Sequence, residues 1–385
     1  MGGLPLSGEG MNAPLAKLID WLRIQKRCRR RPSIDRRTLR LQEALQFLMG
    51  PDFIPAESEP ARVEFSPSPS GLHFRFPTPR PCGVAENNIV YGRFYRCAGR
   101  WQERPMVVLL HGGNAGAGNA GSLGYRFGFA LIARRCNRAG FNAATLEAPY
   151  HFQRYPRQAG IVSPVDYLRM AQAVAQAASE IRALTGWLLA EGCPAVALWG
   201  LSMGGWLAGM TVCREARLAA VVMTLPVVRS NPSCADRIIW RDVREAWQGL
   251  RWAEEQLDTT PFNLTTARPA IPKKNILLVE GTQDLLTPPE PIEELWQLWG
   301  QPDIWRLPHG HMSLSLSLGG LTGPVLRWLA PRLDKPAIEK PPNGAAQSVE
   351  RMGASRSGQF QCLRQWRLAP TAHARRWPMY VHAHL

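Results

Sequence analysis

Six short apolar runs in the middle of the chain alternate with stretches of helical periodicity, and this alternation predicts the fold. Each run has the length of a buried strand and few polar residues. The predicted strands are Met106–Leu110, Asn142–Leu146, Ala195–Trp199, Ala219–Thr224, Asn275–Glu280 and Ile304–Leu307. Because parallel strands are joined by helical crossovers, we predict an α/β fold with a mostly parallel, twisted sheet and helices on both faces.

Helices that would cover this sheet are indicated by apolar residues at intervals of three and four. They are predicted at Gly128–Ala139, Val165–Glu191, Trp206–Arg217, Glu290–Trp299 and Pro324–Leu329. Upstream, Leu72–Phe76 and Asn88–Cys97 alternate between apolar and polar residues as the strands of an antiparallel hairpin do. The loops at the carboxyl ends of parallel strands share one edge of the sheet, and we expect the functional residues there.

The first 69 residues are predicted to be a helical leader followed by a Pro-rich linker, which occupies residues 51–69. The apolar face of the first leader helix carries Leu15, Leu18, Ile19 and Leu22. A second helix is predicted near residues 39–48. We expect the apolar face to pack on the main domain, with peripheral membrane contact through this basic amphipathic leader as the alternative.

Residues 70–333 are predicted to form the main domain, interrupted by a helical insertion at about residues 227–272. Within the insertion, Ala235–Leu257 has helical spacing and bears three tryptophans. Those rings either pack in a core or line an apolar substrate pocket beneath a lid. Residues 334–385 are rich in Pro, Gly, Ser, Gln and Arg without periodicity, so we predict a disordered basic tail.

Composition places the chain among globular proteins, with 45% hydrophobic and 20% charged residues over a length of 385. The net charge is +16, and residues 1–50 together with 331–385 carry twelve of these charges. No nucleic-acid-binding motif accompanies them, so we expect solvated basic ends and no nucleic-acid partner.

Cysteine spacing and hydropathy bear on the cellular location. The eight cysteines include no C-x-x-C pair, which argues against a zinc ribbon and a dense disulfide framework. No stretch reaches the about 18 uncharged apolar residues that a membrane helix requires. Residues 1–10 lack a basic start followed by an apolar run, as a signal peptide would have. We therefore expect a cytoplasmic location without an integral membrane segment.

Gly200-Leu-Ser-Met-Gly204 is the most informative motif, because this G-x-S-x-G follows a predicted strand directly. A serine held on a sharp strand-to-helix turn needs small residues two positions before and two after it. The predicted helix that follows would direct free N–H groups at the turn. Ser202 is therefore the candidate nucleophile, although a Gly/Ser turn without chemistry has the same short pattern.

A serine nucleophile needs a base, and the base needs a carboxylate that orients it. On such a sheet these groups follow later strands in the order Ser, acid, His. Asp284 follows the strand ending at Glu280, and His311 follows the next strand, with Gly310 before it to allow a tight turn. An Asx-type turn is the structural alternative for Asp284. The functional alternatives are His309 as the base, and Glu280 or Asp303 as the acid.

The oxyanion of an attacked carbonyl needs two N–H donors. Leu110-His-Gly-Gly-Asn114 leaves the first parallel strand in a turn that can supply one. We predict the N–H of Gly113, with Asn114 as the alternative, and the N–H of Met203 as the second donor. His111 is expected to hold this turn by hydrogen bonds.

Together these motifs resemble the α/β-hydrolase superfamily over about residues 70–330. The matching segments are His-Gly-Gly at 111–113, Ala-Pro-Tyr-His at 148–151, Gly-Leu-Ser-Met-Gly-Gly at 200–205, Gly-Thr-Gln-Asp at 281–284 and Gly-His at 310–311. The resemblance implies esterase-, lipase-, thioesterase- or peptidase-like hydrolysis through an acyl-enzyme. It implies no cofactor but does not identify the substrate. We expect a small-molecule or lipid-like acyl substrate.

Two other functions are compatible with parts of the sequence. Residues 116–121 satisfy G-x-G-x-x-G, and Glu147 has the place of a ribose-binding acid, as in a dinucleotide-binding oxidoreductase. The glycines begin some residues past the strand, however, and this reading leaves Ser202 and His311 unexplained. A hydrolase fold that only binds partners is the second alternative. A metal site is not expected, because His309 and His311 lack a third ligand at a recognisable spacing.

Overall fold

A computed structural model describes residues 13–28, 41–50, 53–55, 58–68, 71–113, 120–156, 167–229 and 263–334. The strands in these ranges are β1 (Glu64–Ser68), β2 (Gly71–Pro77), β3 (Ile89–Tyr95), β4 (Met106–Leu110), β5 (Asn142–Leu146), β6 (Val196–Leu201), β7 (Ala220–Thr224), β8 (Ile276–Gly281) and β9 (Asp303–Leu307). The α-helices are α1 (Ala13–Cys28), α2 (Leu41–Met49), α3 (Ala120–Arg138), α4 (Tyr167–Ala190), α5 (Met203–Val212), α6 (Pro289–Leu298), α7 (His311–Leu316) and α8 (Leu318–Leu333).

The strands form one nine-stranded sheet in the order β1-β2-β3-β5-β4-β6-β7-β8-β9. The pairs from β1 to β5 are antiparallel, and every pair from β5 to β9 is parallel. Strand β4 lies between β5 and β6, so the order of the strands reverses there. The loops after β4 and β6 consequently leave the sheet side by side, which is where α/β proteins place their sites.

The predicted α/β fold with a mostly parallel sheet is confirmed, and the six predicted core strands agree with β4 to β9 within two residues at each end. Strands β4, β6, β7 and β8 are buried at every position. One apolar layer joins the sheet to α4 and α5 through residues such as Ile181 and Trp206. The other joins it to α3 and α8 through Phe129 and Val325. Because both faces of these strands are buried, each strand is a nearly continuous apolar run that can be recognised in the sequence.

Helix α5 spans Met203–Val212 rather than Trp206–Arg217, and three further helices differ from their predictions. Helix α3 begins at Ala120 rather than Gly128; in these added turns Tyr125 packs against the apolar layer, whereas Leu123 and Phe127 are exposed. Helix α8 spans Leu318–Leu333 rather than Pro324–Leu329, since a buried stripe that includes Leu321 and Leu329 packs on the sheet. The short helix α7 was not predicted at all. It begins at His311, so it places the candidate base at its first residue.

The predicted linker is wrong at residues 64–68, which form the edge strand β1. This strand pairs with β2 in antiparallel register. The Phe65 ring lies 5.3 Å from that of Phe94 and 5.7 Å from that of Trp187, measured between ring centroids. These contacts are made with distant parts of the chain, so the local composition of the segment does not reveal them.

The expected packing of the leader helix is also wrong. Leu15, Leu18 and Leu22 on α1 are 48%, 49% and 53% exposed, whereas Ala16 and Asp20 are fully buried. The buried face approaches Gly310 and the start of α7. Helix α1 therefore docks through Ala16 and Asp20, not through the leucines. The Asp20 carboxylate accepts main-chain hydrogen bonds.

Several predictions lie partly or wholly outside the described residues. They concern residues 230–262 of the helical insertion, residues 116–119 of the glycine loop and the tail from residue 335. Within the described ranges, no helix is long and apolar enough to cross a membrane.

A buried ion pair ties the loop after β5 to helix α4. The Arg154 guanidinium donates to both carboxylate oxygens of Glu180, at 2.6 and 2.7 Å, and both side chains are completely buried. Arg154 also donates to the main-chain oxygens of Glu147 and Asn87, and Thr78 Oγ1 donates to Glu180 at 2.6 Å. This network holds the loop after β5 beside the functional edge of the sheet.

We expect Glu180→Gln to lower the free energy of unfolding by about 3–5 kcal/mol, because it leaves the Arg154 charge buried without its counter-ion. The measurement is equilibrium unfolding in urea. Glu103→Gln is the matched control: its exposed pair with Arg100 at 3.7 Å should contribute less than about 0.5 kcal/mol. Equal effects of the two substitutions would contradict the prediction.

Candidate functional site

Ser202 occupies a strained turn between β6 and α5. Its φ of 56° and ψ of −115° lie in a region that non-glycine residues rarely adopt. The turn is held by main-chain hydrogen bonds, from Ser202 N to Thr224 O at 2.8 Å and from Trp206 N to Ser202 O at 3.0 Å. The conformation is therefore imposed by the neighbouring strand and helix, and it presents the serine at the carboxyl edge of the sheet.

The glycines around Ser202 are required by space, as the motif predicted. A Cβ atom on Gly200 would lie 2.1 Å from the carbonyl oxygen of Gly204. A Cβ atom on Gly204 would lie 2.1 Å from the carbonyl oxygen of Leu110, at the end of β4. No side chain fits at either place, because main-chain atoms occupy it.

The structure brings three of the predicted site residues into one hydrogen-bonded line. His311 Nε2 lies 3.1 Å from Ser202 Oγ, and His311 Nδ1 lies 2.7 Å from Asp284 Oδ2. Asp284 and His311 are buried, and Ser202 is half-buried. The three residues follow β6, β8 and β9, so three separate strand ends supply the line.

Asp284 is both the partner of the imidazole and a turn residue. Its Oδ1 accepts hydrogen bonds from the main-chain N–H groups of Leu286 and Thr287, at 2.7 and 2.8 Å. Its Oδ2 faces His311 Nδ1. Asp284 can therefore be both the carboxylate that orients the imidazole and an Asx-turn residue. Its Oδ2 faces the imidazole, and its Oδ1 accepts the hydrogen bonds of the turn. A fixed carboxylate at Nδ1 favours the tautomer that leaves the Nε2 lone pair toward Ser202.

Thr287 belongs to the site and was not predicted. Its hydroxyl donates to Asp284 Oδ2 at 2.8 Å and lies 3.1 Å from His311 Nδ1. It therefore contacts both members of the acid–imidazole pair. The Asp-x-x-Thr spacing of an Asx turn is the signal that could have identified it.

The alternative residues have other partners or other positions. Asp303 pairs with Arg332 at 3.0 Å, and Glu280 lies 3.7 Å from Arg306. Burial lowers the pKa of His309, whose Nδ1 atom has no hydrogen-bond partner among the described residues. The carbonyl of His309 accepts from Gln283 N at 3.0 Å, which ties the loop after β9 to the turn after β8.

Gly113 and Met203, the predicted oxyanion donors, are neighbours in space. A Cβ atom on Gly113 would lie 3.9 Å from Met203 Cβ. The Tyr125 hydroxyl donates to Gly113 O at 3.4 Å and occupies the space beside Gly112, where a Cβ atom would approach it to 2.3 Å. Helix α3 thus holds the loop after β4 against the start of α5. Asn114 lies outside the described residues.

His111 fastens the same loop to the neighbouring one. Its Nδ1 lies 2.8 Å from Gly112 O, and its Nε2 accepts from Ala148 N at 3.0 Å. Burial lowers the pKa of His111 to about 3, so the imidazole is neutral near pH 7. The ring can therefore donate at Nδ1 and accept at Nε2, as the structural interpretation of His111 requires.

Metal binding has no candidate in the described parts of the chain, where no group of three or more His, Cys, Asp or Glu side chains could hold an ion. The chemistry available at the site is that of a hydroxyl, an imidazole, a carboxylate and main-chain N–H groups.

Sequence comparisons place this chain beside known proteins. The family model for alpha/beta hydrolase domain containing 18 matches residues 87–262. Two uncharacterized proteins of Mycobacterium tuberculosis, from strains CDC 1551/Oshkosh and ATCC 25618/H37Rv, are each 27% identical over 254 residues, which cover 62% of this chain and 55% of the relative. The chain thus spans about half the length of the curated relatives that it matches.

The chain is also similar to solved esterase structures at low identity. An acetyl xylan esterase from Paenibacillus sp. R4 is 16% identical with a TM-score of 0.49, and the match covers 84% of this chain and 99% of that one. Acetyl xylan esterase 1 from Thermoanaerobacterium sp. JW/SL YS485 is 14% identical with a TM-score of 0.48, and the match covers 74% of this chain and 93% of that one. An esterase from Pyrococcus furiosus is 13% identical with a TM-score of 0.47, and the match covers 71% of this chain and 97% of that one.

We expect Gly204→Ala to lower the free energy of unfolding by at least about 2 kcal/mol, because the new methyl group would overlap the Leu110 carbonyl. Gly128→Ala is the matched control: it lies within α3, and the added Cβ would have no atom within 4 Å other than those of its chain neighbours and its own helix backbone. Alanine there should stabilise the helix by up to about 1 kcal/mol. Urea unfolding of both variants measures the difference, and equal stabilities would contradict the close contact.

Proposed function

Since this chain belongs to the α/β-hydrolase superfamily, we propose that it is a serine hydrolase that cleaves an ester, thioester or related acyl bond. The observation that carries the proposal is the hydrogen-bonded line from Ser202 through His311 to Asp284. Residues 70–333 would form the catalytic domain. We further propose a small-molecule or lipid-like acyl substrate, no nucleic-acid partner and a cytoplasmic location.

The first half of the proposed reaction forms an acyl-enzyme. His311 Nε2 takes the hydroxyl proton as Ser202 Oγ bonds to the substrate carbonyl carbon, and the π electrons move to the carbonyl oxygen. The N–H groups of Gly113 and Met203 would stabilise this oxyanion. When the C=O bond re-forms, the bond to the leaving group breaks, and the imidazolium gives its proton to that group.

The second half returns the serine to its starting state. His311 takes a proton from water, and the hydroxide oxygen bonds to the acyl carbon as the bond to Ser202 Oγ breaks. The imidazolium then reprotonates the serine, and the acid product leaves. Asp284 would orient the imidazole and stabilise its charged form. Its burial strengthens this interaction, because water screens the pair weakly.

We expect a fluorophosphonate probe to label the wild-type protein covalently and Ser202→Ala not at all, since an activated serine displaces fluoride from phosphorus and is phosphonylated. Intact-mass spectrometry measures the labelling, and peptide mapping identifies the modified residue. Equal unfolding curves for the two proteins serve as the folding control. Labelling of neither protein would favour a hydrolase fold that only binds partners.

We expect His311→Ala to lower kcat/KM for ester hydrolysis by about 10³-fold or more, because the general base is lost. His309→Ala, the matched control from the same loop, should change it by less than about tenfold, since its imidazole does not contact the serine. Initial rates with p-nitrophenyl esters of increasing chain length give both values and a first view of acyl preference. The reverse ranking would assign the base to His309.

A further inference from the structure

The leader helix places a buried carboxylate against the loops that carry the acid and the base. Asp20 on α1 is completely buried, although Leu18 and Leu22 of the same helix face solvent. Its Oδ2 accepts hydrogen bonds from His311 N at 2.7 Å and from Leu285 N at 3.2 Å. Its Oδ1 accepts from Met312 N at 2.9 Å. One carboxylate thus joins the loop after β8 to the loop after β9.

The Asp20 carboxylate lies in space that a side chain at position 310 would otherwise occupy. A Cβ atom on Gly310 would lie 2.7 Å from Asp20 Oδ2 and 3.1 Å from the carbonyl oxygen of Ala16. Gly310 has a φ of −87° and a ψ of 179°, an extended conformation open to any residue. The sequence-based reason for this glycine, a tight turn, is therefore wrong. The glycine is needed because α1 occupies the space where its side chain would be.

The pKa of the Asp20 carboxyl is raised above its ordinary value, and main-chain donors limit that rise. Burial raises the pKa of the Asp20 carboxyl, the hydrogen bonds from Met312, His311 and Leu285 oppose that rise, and the nearby charge of Asp284 adds to it. A carboxylate in such a place costs desolvation free energy that a helix-docking contact alone does not require, since an apolar side chain could dock α1.

We propose that Asp20 is a positioning residue, which fixes the main chain of His311 relative to the turn of Asp284, so that α1 is part of the active site. This inference rests on the proposed serine-hydrolase function. Asp20 contacts neither Ser202 nor, by our proposal, the substrate. It acts by holding the imidazole within reach of the serine hydroxyl. Small displacements of such a group reduce turnover strongly, because reacting atoms must be aligned to within a fraction of an ångström.

The test compares Asp20→Asn with the full-length wild-type protein. Asparagine keeps the size of the side chain but removes the charge and turns one acceptor into a donor that faces N–H groups. We expect kcat to fall about 10- to 100-fold, which corresponds to about 1.4–2.7 kcal/mol, with KM changed by less than about threefold. We also expect the acid limb of the kcat/KM profile to move to lower pH, because a negative charge near the imidazolium is lost.

Ser313→Ala is the matched control. Ser313 Oγ accepts from Gly310 N at 2.9 Å, so the substitution loosens the same first turn of α7 without changing its charge. The acid limb of the kcat/KM profile of Ser313→Ala should lie at the same pH as in the wild type. An equal shift in both variants would assign to Asp20 a structural role only and overturn the proposal.

Gly310→Ala gives a second route, which stays informative if Asp20→Asn does not fold. The added methyl group displaces the carboxylate while the charge remains, so kcat should fall to a similar extent. Where both single variants fold, Asp20→Asn with Gly310→Ala should cost less than the product of the two single losses, because both act on one contact. Full additivity would mean that they act separately and would overturn the proposal.

Hydrogen exchange separates failure of this inference from failure of the proposed function. Amides of Leu285, His311 and Met312 should exchange faster in Asp20→Asn than in the wild type, whether or not the protein hydrolyses esters. If the wild type labels at Ser202 and Asp20→Asn keeps kcat within about threefold, the positioning role is wrong and the hydrolase function stands. If Ser202 does not label, the function is wrong, and unchanged exchange at these amides would refute the positioning contact as well.

Discussion

The structure depends on one close contact of main chain with main chain, between the turn after β6 and the end of β4. Gly204 lies so near the Leu110 carbonyl that no side chain fits between them, and Gly200 lies equally near Gly204. This contact forces Ser202 into its strained conformation and brings the N–H of Met203 beside the loop of Gly113. The reversal of strand order at β4 makes the contact possible, because it puts these two loops next to each other.

Three buried carboxyl groups of this protein, those of Asp284, Asp20 and Glu180, each accept hydrogen bonds from several donors. Asp284 accepts main-chain hydrogen bonds at one oxygen and faces an imidazole at the other. Asp20 accepts three main-chain hydrogen bonds, and Glu180 has a bidentate arginine and a hydroxyl. Each group spans segments that are distant in sequence. The loops around the candidate site therefore owe their relative positions to buried polar contacts, while the apolar layers hold the sheet.

Much of the fold was predictable because burial on both faces makes the central strands continuous apolar runs, and β4 and β5 agree with their predictions at both ends. The predictions were wrong where distant contacts override local tendency. Helix α8 begins at Leu318 rather than at Pro324, and residues 64–68 are a strand rather than a linker. The leucines of α1 face solvent because Ala16 and Asp20 dock the helix. The roles assigned to Ser202, Asp284, His311, Gly113 and Met203 stay predictions, although the first three lie in one hydrogen-bonded line.

By itself the sequence determined the class of fold and the identity of the candidate nucleophile, because both are encoded by neighbouring residues: apolar runs of strand length, and a serine between two glycines. The sequence favoured His311 over His309 through a tight turn at Gly310, but only the tertiary structure decided which histidine meets the serine, since Gly310 is extended and makes no such turn. The contacts of Thr287 and Asp20 with the acid and the base were also determined only by the tertiary structure. Their hydrogen bonds join segments up to 292 residues apart, and no pattern within one segment specifies such a contact.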